Sequence, residues 1–317
     1  MSTGAITKLP AKIAALLREI HVCAALDSLA VIKASGSGIR DYLQGQITQD
    51  IALLAPDRGI YTVVLTPQGK AVADMHMIEG HNGELIIIAE AAYAEALVGR
   101  LRRFTLGYKA RIGIVEALAV IAIQGPNTNR ALSKAGLPLP ASDVNCVASQ
   151  AYHDIFCMRL PMAASNGAWI ITPRIDVASH LELLDHAVTA RDMESARIVH
   201  GFPRFGVDWD ESIHPLNANL IERHGVNFDK GCYVGQEVTS RMHWRGQIKW
   251  RLYQVTLDAT VSALPCAVEA GGRIGEITSL VRTGDGKSRG IARLRIEAVE
   301  SGRDLYACNL PVRVVYS

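Results

Sequence analysis

An α+β fold carrying an all-β unit at its C-terminal end is what the sequence predicts, on three observations. Up to about Gly246, β-branched apolar runs alternate with segments whose apolar residues recur at helical spacing. Beyond Lys249 the helical signal fades, and short alternating runs separated by Gly, Asp and Ser turns take over. The 317-residue chain is also too long for one typical domain. The expected division is a module over 1–246 and a small β-barrel or sandwich over 247–317.

The elements follow in order. Apolar Ile13, Leu16, Leu17 and Ile20, after Pro10, predict a short amphipathic helix. Leu29–Ala34 reads as a strand and Ser35-Gly-Ser-Gly38 as its turn, with a helical segment from Ile39 to Gly45. Asp41 stands where a dinucleotide fingerprint needs its third glycine, so that reading of the turn fails. Gly59–Thr66 and Ala71–Glu79 read as a hairpin around Pro67-Gln-Gly69, with a strand over Glu84–Ile88. Ala94, Leu97, Val98 and Leu101 predict a helix over Ala91–Phe104, and Arg100, Arg102 and Arg103 suit its negative C-terminal end. Ala117–Gln124 is a strand, Pro126 opens a helix through Leu132, and Pro138–Val144 is linker-like. Ile155–Leu160 and Trp169–Thr172 read as strands, with helices over Val177–Ala190 and Ser195–His200. In the C-terminal unit, Trp250–Leu257, Arg273–Ser279, Ser288–Leu294 and Val312–Tyr316 are the expected strands, with Trp250 in the barrel core.

Composition excludes several classes. A hydrophobic fraction of 49%, a charged fraction of 20% and a net charge of +2 describe a folded protein without a general electrostatic case for nucleic acid. No P-loop or H-E-x-x-H pattern occurs. The six cysteines form no C-x-x-C pair and match no zinc or iron–sulfur ligation spacing; His180, His186 and His200 have none either. No metal site is expected. Reduced thiols and a cytoplasmic location are expected, since no export signal or membrane-length apolar segment stands out.

Two features carry chemistry. Asp74 interrupts an apolar strand between Ala73 and Met75, which is unfavourable unless its carboxylate meets a partner. Asp229-Lys-Gly-Cys-Tyr-Val-Gly-Gln-Glu237 concentrates a base, a thiol, a phenol, an amide and a carboxylate between glycines. Lys230 lies two positions before Cys232, where a cation favours thiolate. A glycine-punctuated turn around a buried cysteine is the plain alternative. Arg241, Arg245, Lys249 and Arg251 follow, interleaved with His243, Trp244 and Trp250. Such a segment grips an anionic tail, an acidic surface or single-stranded RNA, or is a solvated hinge.

Tyr42-Leu-Gln-Gly-Gln-Ile-Thr-Gln-Asp50, Leu65-Thr-Pro-Gln-Gly-Lys70 with Asp74, Arg102-Arg-Phe-Thr-Leu106 and Lys230-Gly-Cys-Tyr-Val-Gly-Gln-Glu237 occur in one order. From about Leu26 to the C-terminus they resemble the YgfZ family of folate-binding proteins. That family is related to the aminomethyltransferase (T-protein) of glycine cleavage and to a mitochondrial iron–sulfur assembly factor. The resemblance implies an aminomethyltransferase-like module of two α+β lobes, dividing near 110–120 or interleaved, closed by the C-terminal barrel. It implies tetrahydrofolate or a one-carbon derivative as cofactor, iron–sulfur client or assembly proteins as partners, and an influence on tRNA modification. Carried onto this chain, Cys232 with Lys230 is the reactive centre, and Asp74, Tyr233, Gln236, Glu237 and Arg241 form or border the folate site. The T-protein hairpin has two adjacent aspartates where this chain has Ala73 and Asp74, and it lacks the cysteine motif. A tetrahydrofolate-dependent aminomethyltransferase is therefore the second reading, and a non-catalytic folate sensor or RNA-associated module the third.

Overall fold

The computed structural model describes residues 6–160 and 166–315, so Tyr316, at the end of the last expected strand, lies outside the described residues. Strands and helices are numbered along the chain. Three sheets carry the architecture. The first has the order β4 (Ile60–Leu65), β5 (Ala71–Glu79), β6 (Leu85–Glu90), β3 (Leu29–Ser35), β7 (Arg111–Ile114). The second runs β2 (Val22–Ala25), β8 (Leu118–Gln124), β11 (Ala168–Pro173), β10 (Ile155–Arg159), β9 (Val147–Gln150). Neighbours in both are antiparallel.

These two sheets are covered on both faces, which is why β4, β6 and β8 read as nearly unbroken apolar runs. The pleat sends alternate residues to opposite cores. On β3 and β6, Ile32 and Ile87 enter a core beneath α2 (Ile39–Gln44) and α3 (Ala91–Arg102), while Val31, Ile86 and Ile88 face the second sheet. On β8, Val120 and Ala122 face the first sheet, while Ile121 and Ile123 pack beneath α4 (Thr128–Lys134) and α5 (Val177–Leu184). The layer between the sheets is completed by α1 (Ala11–Glu19) and α6 (Ala190–Val199), through Leu17, Met193 and Ala196.

The third sheet is the C-terminal barrel. β12 (Trp250–Leu257), β13 (Cys266–Glu269), β14 (Arg273–Arg282), β15 (Ser288–Arg295), β16 (Leu305–Ala307) and β17 (Leu310–Val315) close on themselves because β14 pairs with both β13 and β15. β13 covers only the first half of that edge of β14. The N-terminal β1 (Ile6–Lys8) takes the rest in parallel, with Ile6 opposite Leu280. A short helix, α8 (Ile296–Glu300), leads from β15 toward β16.

One buried carboxylate ties barrel to module. Asp208 is 1% exposed and accepts hydrogen bonds from Thr278 Oγ1 (2.8 Å), Ser279 Oγ (2.6 Å), Arg204 N (2.9 Å) and Arg197 Nη1 (2.8 Å). Arg197 also pairs with Glu194 at 2.8 Å. A buried charge is tolerated when its lone pairs are filled in this way.

Four expectations differ from the structure. The helix expected over Val177–Ala190 stops at Leu184, because Asp185 and His186 take φ of +62° and +53°. A new helix, α6, starts from Thr189, whose side chain and that of Asp192 form a reciprocal capping box, so it begins earlier than Ser195. The edge strands β7 and β9, and β2 with its Val-Cys-Ala-Ala sequence, lack a strong intrinsic strand signal and are set by pairing. Trp250 is not core: it lies half-buried under Arg293 and Arg295, whose guanidinium carbons stand 5.2 and 5.1 Å from its ring. The Gly36-x-Gly38 turn has a packing explanation, since a Cβ on Gly36 or Gly38 would meet the Lys109 carbonyl oxygen at 1.9 Å or that of Tyr108 at 2.4 Å.

Replacing Asp208 by alanine strips Arg197 of a buried anionic partner and leaves Ser279 Oγ without its acceptor. The expected loss, by urea unfolding monitored in both near- and far-ultraviolet circular dichroism, is about 3–5 kcal/mol.

Candidate functional site

Where the two sheets meet α6, they enclose a cavity of about 180 Å³. β5 supplies Asp74 and His76, β6 supplies Glu90, and β11 supplies Trp169. Arg197 comes from α6, while Phe202 and Arg204 come from the loop after it; Arg223 lies on a later turn. The hairpin register explains why Asp74 is there. Ala71, Ala73, Met75 and Met77 point into the first core, so Asp74, His76 and Ile78 face the second sheet.

Charged side chains line the cavity within an otherwise apolar wall. Asp74 Oδ2 accepts from Tyr61 Oη at 2.8 Å and stands 3.7 Å from Arg223 Nη1. The Arg223 guanidinium carbon stands 3.9 Å from the Tyr61 ring centroid and 4.8 Å from that of Phe202, and Nη1 donates to the Tyr61 hydroxyl at 2.7 Å. Burial outweighs the pull of Arg223 and holds the Asp74 carboxyl above the ordinary carboxylate range. Burial likewise pushes His76 down to about 3, so its imidazole is neutral at physiological pH. Glu90 pairs with Arg204 at 2.7 Å, yet burial pushes it up to about 7.

Among the described residues, His76 Nδ1, Arg204 Nε and Arg223 Nε are buried without a hydrogen-bond partner. Such atoms are costly unless a ligand or solvent completes them. The set suits a flat heteroaromatic ring: a carboxylate for ring or amino N–H groups, guanidinium N–H groups for a carbonyl edge, and Trp169 and Phe202 as apolar walls. The volume admits a ring system, whereas a complete drug-sized ligand fills roughly 300–1,000 Å³.

The cysteine motif forms a separate feature. Lys230 is 6% exposed, and its Nζ donates to the carbonyls of Gln44 (2.7 Å), Ile47 (2.8 Å) and Gln49 (2.8 Å). Asn227 Oδ1 accepts from the N–H groups of Asp229 and Lys230, and Val234 N donates to Gly45 O at 3.1 Å. The loop is thus pinned on both sides of Cys232, whose residue is exposed. Gly235, at φ +84°, then opens α7 (Gln236–Trp244). A Cβ there would lie 2.8 Å from Thr66 O and 2.9 Å from Leu65 Cβ, so only glycine lets the helix sit on the tip of the β4–β5 hairpin.

The structure does not gather the expected site residues in one place. Asp74 lines the cavity, but Lys230, Cys232, Tyr233, Gln236, Glu237 and Arg241 are not among its lining residues. They sit at or beyond the hairpin tip, whereas Asp74 lies deeper, opposite Val63. Glu237 and Arg241 pair with each other at 2.7 Å on the exposed face of α7. Tyr233 is buried, and burial pushes its hydroxyl up to about 12. Lys230, expected to tune the thiol, uses its three N–H donors on backbone carbonyls and is a clamp; burial pushes it down to about 8. α7 itself escaped the sequence because it has no apolar stripe, Thr239 being its buried residue. Tyr61, His76, Glu90, Arg197, Arg204 and Arg223 were not identified as site residues. They come from distant segments, and His76, the third residue of an Asp74-x-His76 alternation, carried the one local signal.

Lys230→Met leaves three carbonyls without their charged donor and is expected to cost roughly 2–3 kcal/mol in denaturant unfolding. Glu90 yields a pH dependence. Its folded value lies above the ordinary 4.5, so its contribution to stability is full below about pH 4.5 and is lost as pH rises through about 7. Between those limits the wild type should lose up to roughly 3 kcal/mol more than Glu90→Gln, measured by paired urea titrations across that range.

Comparison with known proteins fits this geometry. The family model of the GCVT N-terminal domain matches residues 16–153. A "tRNA-modifying protein YgfZ" of Hamiltonella defensa is 28% identical over 238 residues, covering 73% of this chain and 68% of the relative. Its namesake in Yersinia pseudotuberculosis is 24% identical over 272 residues, covering 82% and 80%. Among solved structures, the glycine cleavage system aminomethyltransferase T from Bartonella henselae superposes with a TM-score of 0.82 at 19% identity, over 100% of this chain and 93% of that one. In sequence the chain is a relative of the YgfZ proteins, and it is built on the aminomethyltransferase T fold.

Proposed function

We propose that this chain binds a reduced folate, tetrahydrofolate or a one-carbon derivative, with its pterin ring in the cavity between the two lobe sheets. In this reading it acts as an accessory protein for the assembly or repair of iron–sulfur proteins, with a downstream influence on tRNA modification. The observation that carries the folate assignment is the buried Asp74 carboxylate, held by Tyr61 and Arg223 beside unpartnered nitrogens of His76, Arg204 and Arg223. A carboxylate facing the amino and ring N–H groups of a pterin makes charge-assisted hydrogen bonds, which are the strong ones. When bound, such a folate supplies one-carbon chemistry. Asp74 and Arg223 orient it, and Trp169 and Phe202 keep water from its faces.

Cys232 takes the second part of the role. Its loop is seated by Lys230 and Val234 and presents it outward, where a client's thiol, cluster or acidic surface can approach. Gln236, Glu237 and Arg241 border that surface on α7 and are assigned to partner contact more readily than to the pterin. The names of the YgfZ relatives support an effect on tRNA modification. Aminomethyl transfer is the competing activity. The fold favours it, but the position beside Asp74 is Ala73, buried in the first core, so Asp74 is the one acid that β5 turns toward the cavity.

Isothermal titration with tetrahydrofolate separates the parts. Asp74→Asn, which keeps the shape and removes the charge, should weaken binding about 10- to 100-fold. Cys232→Ala should leave folate affinity essentially unchanged while abolishing support of iron–sulfur enzymes in a strain lacking the factor. Wild-type affinity in Asp74→Asn overturns the cavity assignment, and full complementation by Cys232→Ala overturns the thiol role. Methylenetetrahydrofolate formed from an aminomethylated carrier would replace the accessory reading by the transferase one.

A further inference from the structure

Two other thiols stand together in the barrel, away from the cavity and the Cys232 loop. Cys266 opens β13 and is buried; Cys308 sits in the turn between β16 and β17 and is exposed. Their sulfurs are 3.2 Å apart. β13 and β16 are hydrogen-bonded neighbours through Glu269 and Tyr306, so the backbones are held side by side whatever the thiols do. Ala307 pairs with Leu310, leaving Cys308 and Asn309 as a two-residue hairpin turn with φ of +50° and +64°. That turn favours Asn, Asp or Gly at both places, and a cysteine there has no conformational justification. Its reward is contact with the second sulfur.

We propose that Cys266 and Cys308 form a reversible dithiol–disulfide couple, oxidised by low-molecular-weight disulfides such as glutathione disulfide. The exposed Cys308 thiolate attacks one sulfur of the oxidant, breaking its S–S bond and releasing one glutathione thiolate. Cys266 then loses its proton to solvent and attacks the Cys308 sulfur of the mixed disulfide, releasing the second glutathione. Two protein thiols are oxidised by two electrons, one disulfide is reduced to two thiols, and the two protons follow the glutathione sulfurs. Burial pushes Cys266 up to about 11, which slows attack on a free partner; fixed proximity to Cys308 offsets this. The bond would tie the start of β13 to the β16–β17 turn, restricting the unfolded chain and raising the stability of the barrel.

The test uses the full chain in a Cys232→Ser background, so that the exposed motif thiol does not compete. The protein is equilibrated with glutathione disulfide, quenched with an alkylating reagent and mapped by peptide mass spectrometry, with Tm measured in parallel. A Cys266–Cys308 cross-linked peptide and an upward Tm shift, both reversed by dithiothreitol, are expected. Cys308→Ser should give neither, and Cys266→Ser should retain a glutathione adduct on Cys308. A persistent Cys308 adduct without the cross-link, or unmodified thiols at equilibrium, overturns the proposal.

Discussion

The Lys230 ammonium ion holds the signature region of this protein together. Its three donors fill the carbonyls of Gln44, Ile47 and Gln49, joining two stretches that lie far apart in sequence. A buried cation without such partners would be strongly unfavourable, so its presence requires the 44–50 loop and the 227–234 loop to keep one shape. Cys232 is presented by that shape. The Leu-Gln-Gly-Gln and Lys-Gly-Cys-Tyr stretches, separate signals along the chain, are the two halves of one contact.

The cavity rests on a different constraint. Two sheets buried on both faces leave little room for polar groups between them, and Asp74 and His76 enter that layer because the period of β5 places them there. Burial raises the pKa of the acid and lowers that of the base, because it desolvates the charged form of each. Arg197 and Arg204 extend this polar wall to Asp208 and through it to Thr278 and Ser279 of the barrel. Barrel and cavity wall therefore share one hydrogen-bond network.

Much of the fold was legible along the chain. The β4–β5 hairpin, β6, α3 and β8 follow from apolar periodicity and turn residues, and β12, β14, β15 and β17 of the barrel from alternation, whereas the short β13 and β16 do not. The misses share a cause. β7 and β9 are short edge strands, β2 is built from weak strand formers, and α7 has almost no apolar face, so pairing and seating decide them. The α5–α6 break was readable, because Thr189 and Asp192 have capping-box spacing, but the apolar pattern ran across it.

For the site, the sequence by itself determined which residues are chemically out of place: an aspartate in an apolar strand, and a thiol among glycines next to a lysine. Local composition is enough for that, because an unpaired buried charge or a glycine cluster is costly without a reason. Only the tertiary structure decided their neighbours. It put Tyr61 and Arg223 on Asp74, turned Lys230 away from sulfur to backbone oxygen, and separated Asp74 from the α7 residues expected beside it. Side-chain partners are set by register and packing between distant segments, and neither is written in the spacing of a single motif.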